Sequence, residues 1–323
     1  MSLEVASLEG RKVLITGGSG LLGTSLTQRF SNLGMFVQST YYSREPHKFR
    51  NIEYLQYDFT KYEDCLAATK NQDYVMICAV QAAGVKGVRQ SPTATILPNL
   101  EIHAGILEAC CENDVKKAVW VSSSSVYQEA SYPISEDELD LNQPPYELYQ
   151  GIGWVYRYLE ELVKCYYAKH GLKVGIIRTA NIYGPYDRFD DEKSHVIPAL
   201  IKRALKKDDP FMVWGEKSIV RDFIFMDDLT EGVLRVLNNY CYADPINIST
   251  GTPTTIGELV NIILKVCDHP VAVQYDSAKP TAIPYRVLNN TKSDKLLGKI
   301  NKTSLEEGIR KTVEWYNSSY ARD

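Results

Sequence analysis

At 323 residues, 44% apolar and 24% charged, with a net charge of −4, the chain has the makeup of one large or two modest globular domains and offers no basic surface to nucleic acid or an anionic membrane. No apolar run reaches the ~20 residues of a membrane span. Seven cysteines, an odd number without Cys-x-x-Cys spacing, argue against a disulfide framework or zinc site; Cys78, Cys110 and Cys111 lie in apolar segments, and no metal is expected.

Residues 1–10 lack the shape of a signal peptide, which with the cysteine usage leads us to expect a reduced, cytoplasmic setting. A short apolar run (Val13, Leu14, Ile15) then stops at a glycine cluster, and a helical pattern follows (Leu21, Leu22, Leu26, Phe30, Leu33). Gly17, Gly20 and Gly23 repeat at three-residue intervals. Gly17 suits the tight turn, Gly20 the approach of a pyrophosphate to the backbone, and Gly23 the packing of helix on strand. The pyrophosphate would rest on free N–H groups at the helix N-terminus, where the dipole favours negative charge. Candidate dinucleotide contacts here are Gly17, Ser19, Gly20, Leu21, Leu22 and Gly23.

Further strands are expected at 36–40, 52–57, 74–78, 117–122 and 173–178, and helices at 99–111 and 154–170. Strands alternating with helices predict an α/β fold, a doubly wound parallel sheet (Rossmann) with its ligand at the strands' carboxyl ends. The second half is rich in loops, with short strands at 221–225 and 245–249 and helices at 256–266 and 305–316. It reads as a smaller C-terminal substrate-binding lobe. The expected division is 1–178 for the dinucleotide domain, which also takes segments near 221–245, and 179–323 for the lobe.

An acid ending the second strand would favour NAD by binding the ribose 2′-hydroxyl. Tyr41 falls near that place, the segment Thr40-Tyr41-Tyr42-Ser43-Arg44 holds no acid, and Arg44 is close by. An arginine pairs with a 2′-phosphate, so the reading leans to NADP over NAD; the alternative is a solvated loop arginine. Asp58, after the third strand, serves either the adenine amino group or a loop cap. Phe59, Ala79 and Thr179 complete the candidate cofactor contacts at strand ends.

Four stretches together resemble the extended short-chain dehydrogenase/reductase family, the sugar-nucleotide epimerases and dehydratases. They are Thr16 to Gly23, Val121 to Tyr127, Arg178 to Pro185 and Arg221 to Asp228, in order along nearly the whole chain. Leu305 to Gly308 and Trp315-Tyr316 add to the match, and the stretches at 113–117 and 186–200 most resemble the GDP-L-fucose synthases. The resemblance implies a nucleotide-diphosphate sugar as partner, probed at the ring by hydride, and a homodimer through helices near 99–112 and 153–170. It places Ser123 at the catalytic serine, with Ser124 beside it, although a serine run ending a strand also caps backbone groups. It brings Asn181 and Arg221 to the substrate diphosphate, with Arg286 a further candidate of the same kind. Trp214 would line the nucleotide site or sit in the core. His195 matches a histidine that acts as an acid in epimerisation, for which imidazole is suited; a structural role is the alternative.

The family's Tyr-x-x-x-Lys pair is absent from the region of the long helix. Counting back from Asn181 places Ile152 where the tyrosine belongs and Tyr156 where the lysine belongs, with Glu160 supporting the register. A second register, from Tyr146, puts Gln150 at the lysine place. Tyr149, Ile152 and Tyr156 recur at helical spacing, so either Tyr149 or Tyr156 replaces the missing acid, or both tyrosines pack in a core or dimer interface. Gly151 and Gly153 each cost a helix about 1 kcal/mol relative to alanine, so the helix is expected to begin near Trp154. The leading reading is an oxidoreductase or epimerase of a nucleotide-diphosphate sugar, a GDP-hexose by resemblance. Its rivals are a binding protein that has lost its chemistry and a dehydrogenase that keeps its cofactor bound.

Overall fold

Val13, Leu14, Ile15 and Thr16 are all buried, the pattern of a strand covered on both faces. The computed structural model describes residues 8–82, 87, 90–91, 93–190, 194–279 and 283–319; most of the 1–10 stretch, and 191–193 within the 186–200 stretch, lie outside them. In chain order the elements are β1 (Lys12–Thr16), α1 (Leu21–Asn32), β2 (Phe36–Tyr41), β3 (Glu53–Gln56), α2 (Tyr62–Thr69), β4 (Tyr74–Ile77), α3 (Ile96–Glu112), β5 (Lys117–Ser123), α4 (Gln150–His170), β6 (Val174–Thr179) and β7 (Asn181–Tyr183). There follow α5 (Val196–Leu205), β8 (Phe211–Trp214), β9 (Val220–Arg221), β10 (Phe223–Phe225), α6 (Met226–Asn239), β11 (Pro245–Ile248), β12 (Thr254–Thr255), α7 (Ile256–Val266), β13 (Val273–Asp276), β14 (Tyr285–Arg286), α8 (Thr291–Leu297) and α9 (Leu305–Ser319).

Seven parallel strands form one sheet in the order β3-β2-β1-β4-β5-β6-β11. Strand order reverses between β1 and β4, the place where doubly wound sheets open a crevice for ligand. Side chains alternate between faces. Val13, Ile15, Val119 and Ile177 share one apolar layer with α1 and α6, while Leu14, Val75, Trp120 and Ile176 share the other with α2, α3 and α4. A third cluster joins α5, α7 and α9 to the short strands β7, β8 and β10.

Three expectations are corrected. The strand at 245–248 is the seventh strand of the main sheet, paired to β6, and not part of the small lobe. Its four residues are all buried, which a scattered surface strand would not need. The run at 221–225 is two strands, β9 and β10, divided at Asp222, whose buried carboxylate accepts from Thr250, Gly251 and Leu288 N–H groups. The long helix begins at Gln150, not near Trp154. Gly153 is tolerated because the helix passes close by: a Cβ there would lie 2.6 Å from Ser125 O and 2.6 Å from Pro145 Cβ. Packing decides the point over intrinsic propensity.

A buried polar network holds the helix and sheet in register. Arg178 forms a two-pronged pair with Glu160, Nε to Oε1 at 3.0 Å and Nη2 to Oε2 at 2.6 Å, with side chains 3% and 2% exposed. Ser122 Oγ donates to Glu160 at 2.8 Å, Arg178 Nη1 donates to the Tyr127 hydroxyl at 2.9 Å, and that hydroxyl donates to Asn247 Oδ1 at 2.8 Å. Removing one partner of such a pair leaves an unbalanced buried charge. We therefore expect Glu160→Gln to cost about 3–5 kcal/mol, read as a lower urea midpoint, and the double variant with Arg178→Met to recover part of it.

Candidate active site

The glycine turn after β1 is shaped by what it must not contain. Gly17 has φ +71°, and a Cβ on it would lie 2.9 Å from Ala79 Cα at the end of β4. A Cβ on Gly23 would lie 2.2 Å from Gly17 O, so helix α1 packs directly on the turn. Gly20 differs: its Cβ would meet only Gly17 O, at 3.2 Å, and otherwise face open space at the helix N-terminus. No side chain caps that terminus. Free N–H groups, the helix dipole and a bare backbone together fit the pyrophosphate of a dinucleotide. Two contributors went unassigned in the sequence. A Cβ on Gly18 would lie 1.8 Å from Ser39 Oγ, and Thr16 Oγ1 accepts from the N–H groups of Cys78 and Ala79, tying the two strands at the switch point. Gly18 sat in the glycine cluster without a role; Thr16 carries no signal in one dimension.

At the carboxyl ends of β4, β5 and β6 lies a cleft of about 280 Å³. Ser123, Ser124, Thr179 and Asn181 line one side, Tyr149, Ile152 and Tyr156 another. Arg221 and Arg286 close it, and they are the only charged residues lining it among the described residues. These two come from β9 and β14, whose parallel register sets Arg221 opposite Arg286. Both are buried, 9% and 5% exposed, and neither forms a salt bridge to a carboxylate among the described residues. Burial lowers the pKa of each, Arg286 to about 10 with the charge of Arg221 as a further cause. Like charges placed opposite one another on paired strands repel, and buried charges normally carry a partner. Thr179 Oγ1 and Ser125 Oγ are also buried without a hydrogen-bond partner. The cleft thus presents cations and uncommitted hydroxyls, with no carboxylate.

Residues 13–249 match the family described as NAD dependent epimerase/dehydratase. The chain belongs to this family. It is 28% identical over 321 residues to a probable GDP-L-fucose synthase 1 of Oryza sativa subsp. japonica, covering 95% of this chain and 92% of that one. It is 26% identical over 321 residues to a GDP-mannose 3,5-epimerase 1 of Oryza sativa subsp. indica, covering 98% and 84%. A Thermotoga maritima UDP-glucose 4-epimerase with UDP-glucose has the same fold, with a TM-score of 0.86, 23% identity and coverage of 95% and 99%. These family relatives are enzymes, and the family uses a nicotinamide dinucleotide.

The structure gathers many of the expected residues and separates others. Ser123, Ser124, Tyr149, Tyr156, Thr179, Asn181, Arg221 and Arg286 share the cleft. Ser123 Oγ accepts from Ser125 N at 3.1 Å, so the serine does cap the turn; its own hydroxyl proton stays available to an oxygen in the cleft. Asn181 Nδ2 donates to Asp222 O at 3.0 Å. Tyr156 is wedged in the apolar layer, its ring 5.7 Å from both His103 and Trp120. His195 is not among the described residues lining the cleft: its side chain is 60% exposed, and Nδ1 lies 3.0 Å from the buried Asp187. Trp214 is 60% exposed, with the Lys279 ammonium over its ring at 5.7 Å, so the core alternative for it fails. Asp58 caps its own loop, accepting from Thr60 N and Oγ1, and the Phe59 side chain is core. Tyr41 ends β2, and Arg44 follows it in a bend.

Gly20→Ala should fold with a slightly lowered Tm yet lose roughly tenfold or more in dinucleotide affinity by calorimetry, the added methyl obstructing a charge-assisted contact worth about 1.5–3 kcal/mol. Gly23→Ala should lower Tm as well. The hydrogen bond to Asp187 raises the His195 pKa, so folding favours the protonated imidazole. That stabilisation is complete below the unfolded value of about 6.5 and fades as pH rises through the raised folded value. His195→Gln should therefore lower Tm more at pH 6 than at pH 9.

Proposed function

We propose that this protein moves hydride between a nicotinamide dinucleotide and the sugar ring of a nucleotide-diphosphate sugar, with a GDP-hexose as its substrate class. The observation that carries this reading is the pair Arg221 and Arg286, opposed, buried and without a carboxylate, in the same cleft as Ser123. A guanidinium fork suits phosphate oxygens, and the diphosphate of a sugar nucleotide supplies two negative charges to two cations. Asn181 stands beside them for a further hydrogen bond, and the Ser123 hydroxyl faces the sugar oxygen. The GDP base rests on what the similar plant proteins are named for.

The glycine turn and the N-terminus of α1 would hold the dinucleotide, which supplies the hydride chemistry when bound. NADP is the form we assign, from Arg44 following β2 with no acid at the strand end. His195 with Asp187 is an acid pair at the lobe, in the role its resemblance implies. A homodimer would pair the packed helices α3 and α4, which leave Leu97, Trp154 and Tyr158 exposed at 59%, 42% and 55%.

The test is nicotinamide absorbance against GDP-, UDP-, dTDP- and CDP-sugars, including 4-keto-6-deoxy forms, with sugar mass and stereochemistry read alongside. The reading expects turnover with a GDP-sugar; a protein silent in every channel overturns it. Arg44→Ala should weaken NADPH binding roughly 10–100-fold while NADH changes little, since a charge-assisted hydrogen bond is worth about 1.5–3 kcal/mol.

A further inference from the structure

The family's phenol and ammonium are both missing from their usual places, since Ile152 and Tyr156 stand there. Ile152 has no proton to give. Tyr156 has its ring fixed against Trp120 and His103 in the apolar layer, and burial alone raises its pKa, with no charged neighbour to offset it. His103 behind it is buried and neutral, its pKa lowered to about 3. Among the described residues, no charged group near Tyr156 would steady a phenolate.

Tyr149 stands differently. It closes the short 3₁₀ turn Glu147–Tyr149 that leads into α4, three residues before Ile152, and lines the same cleft wall. Among the described residues no protein group hydrogen-bonds its hydroxyl. The charged and titratable groups that act on it are Arg221 from β9, Arg286 from β14, and Tyr146 from its own turn. Burial raises its pKa; Arg221 and then Arg286 pull it back down. A cation beside a phenol is the arrangement that stabilises the phenolate.

We propose that Tyr149 is the proton-transferring residue of this cleft, with Arg221 and Arg286 supplying the positive charge that a lysine would otherwise provide. The inference rests on the hydride-transfer reading above and names its acid. A reduced nicotinamide dinucleotide is the reductant. As hydride forms the new C–H bond at the carbonyl carbon of a keto-sugar, the carbonyl π bond breaks and its electron pair takes the proton of Tyr149. The Tyr149 O–H electrons remain on the phenolate oxygen, which regains a proton from water. Ser123 donates its hydroxyl hydrogen to the same carbonyl oxygen. In the oxidative direction the phenolate removes the proton and the steps reverse.

Two measurements test this, and neither depends on the other. In turnover of the full-length enzyme with its best GDP-keto-sugar, Tyr149→Phe should lower kcat by roughly 10²–10⁴-fold, the range of a positioned acid. Dissociation constants for dinucleotide and GDP should stay within about twofold, and the melting curve should stay intact. An unchanged kcat in Tyr149→Phe, or a loss that appears only in Tyr156→Phe, overturns the assignment while leaving the hydride reading standing. Should the wild type be silent with every sugar, that reading fails instead, and the second measurement still decides the phenol's surroundings. Protein labelled with 3-fluorotyrosine is titrated by ¹⁹F NMR, the Tyr149 resonance being the one missing from Tyr149→Phe. Its midpoint should move to higher pH in Arg221→Ala and, less, in Arg286→Ala. A midpoint indifferent to both arginines overturns the proposed charge partnership.

Discussion

The buried Arg178–Glu160 pair is the constraint around which the cleft is built. Two residues of this network stand next to ones that line the cleft. Arg178 precedes Thr179, and Ser122 precedes Ser123. Alternation along a strand sends neighbouring side chains to opposite sides, so locking one fixes the other. The network also reaches Tyr127, Asn247 and Glu136, and thereby joins β5, β6, β11 and the long helix. A buried ion pair is weak evidence for stability as such, because desolvation opposes its Coulomb attraction. Here its effect is positional: the cleft walls hold their spacing because the polar partners have no alternative inside an apolar layer.

A second constraint acts across the cleft. Strand register sets two guanidinium groups opposite one another without a carboxylate between them. Their backbone anchors are spent elsewhere: Arg221 donates to Val220 O, and Arg286 donates to the carbonyls of Tyr127 and Gln128. Arg286 therefore ties the lobe strand β14 to the turn that carries Ser123. The two cations and Ser123 are brought into one cleft by this link between two parts of the chain far apart in sequence.

The glycine cradle shows a division of labour that chemistry imposes. Gly17, Gly18 and Gly23 lack side chains because strand ends and helix leave no room, while Gly20 lacks one beside open space. Three positions are thus matters of packing, and the fourth stands beside open space at the helix N-terminus.

Much was legible in one dimension. The apolar runs of β1, β4, β5 and β6 and the glycine spacing announced a parallel sheet and a dinucleotide turn, since burial on both faces and a close backbone approach each demand a narrow set of residues. Helix α7 matched its expected span of 256–266. The sequence by itself also determined that Tyr-x-x-x-Lys is missing from the long helix, because identity at a register needs no coordinates. Tertiary structure alone decided the rest. It drew residues 245–248 into the main sheet, started α4 at Gln150 in spite of two glycines, and set His195 outside the cleft lining. It also seated Tyr156 in the apolar layer and Tyr149 beside two arginines more than 70 residues away in sequence. Those outcomes depend on contacts between distant segments, whose pairing energies leave no local pattern in the chain.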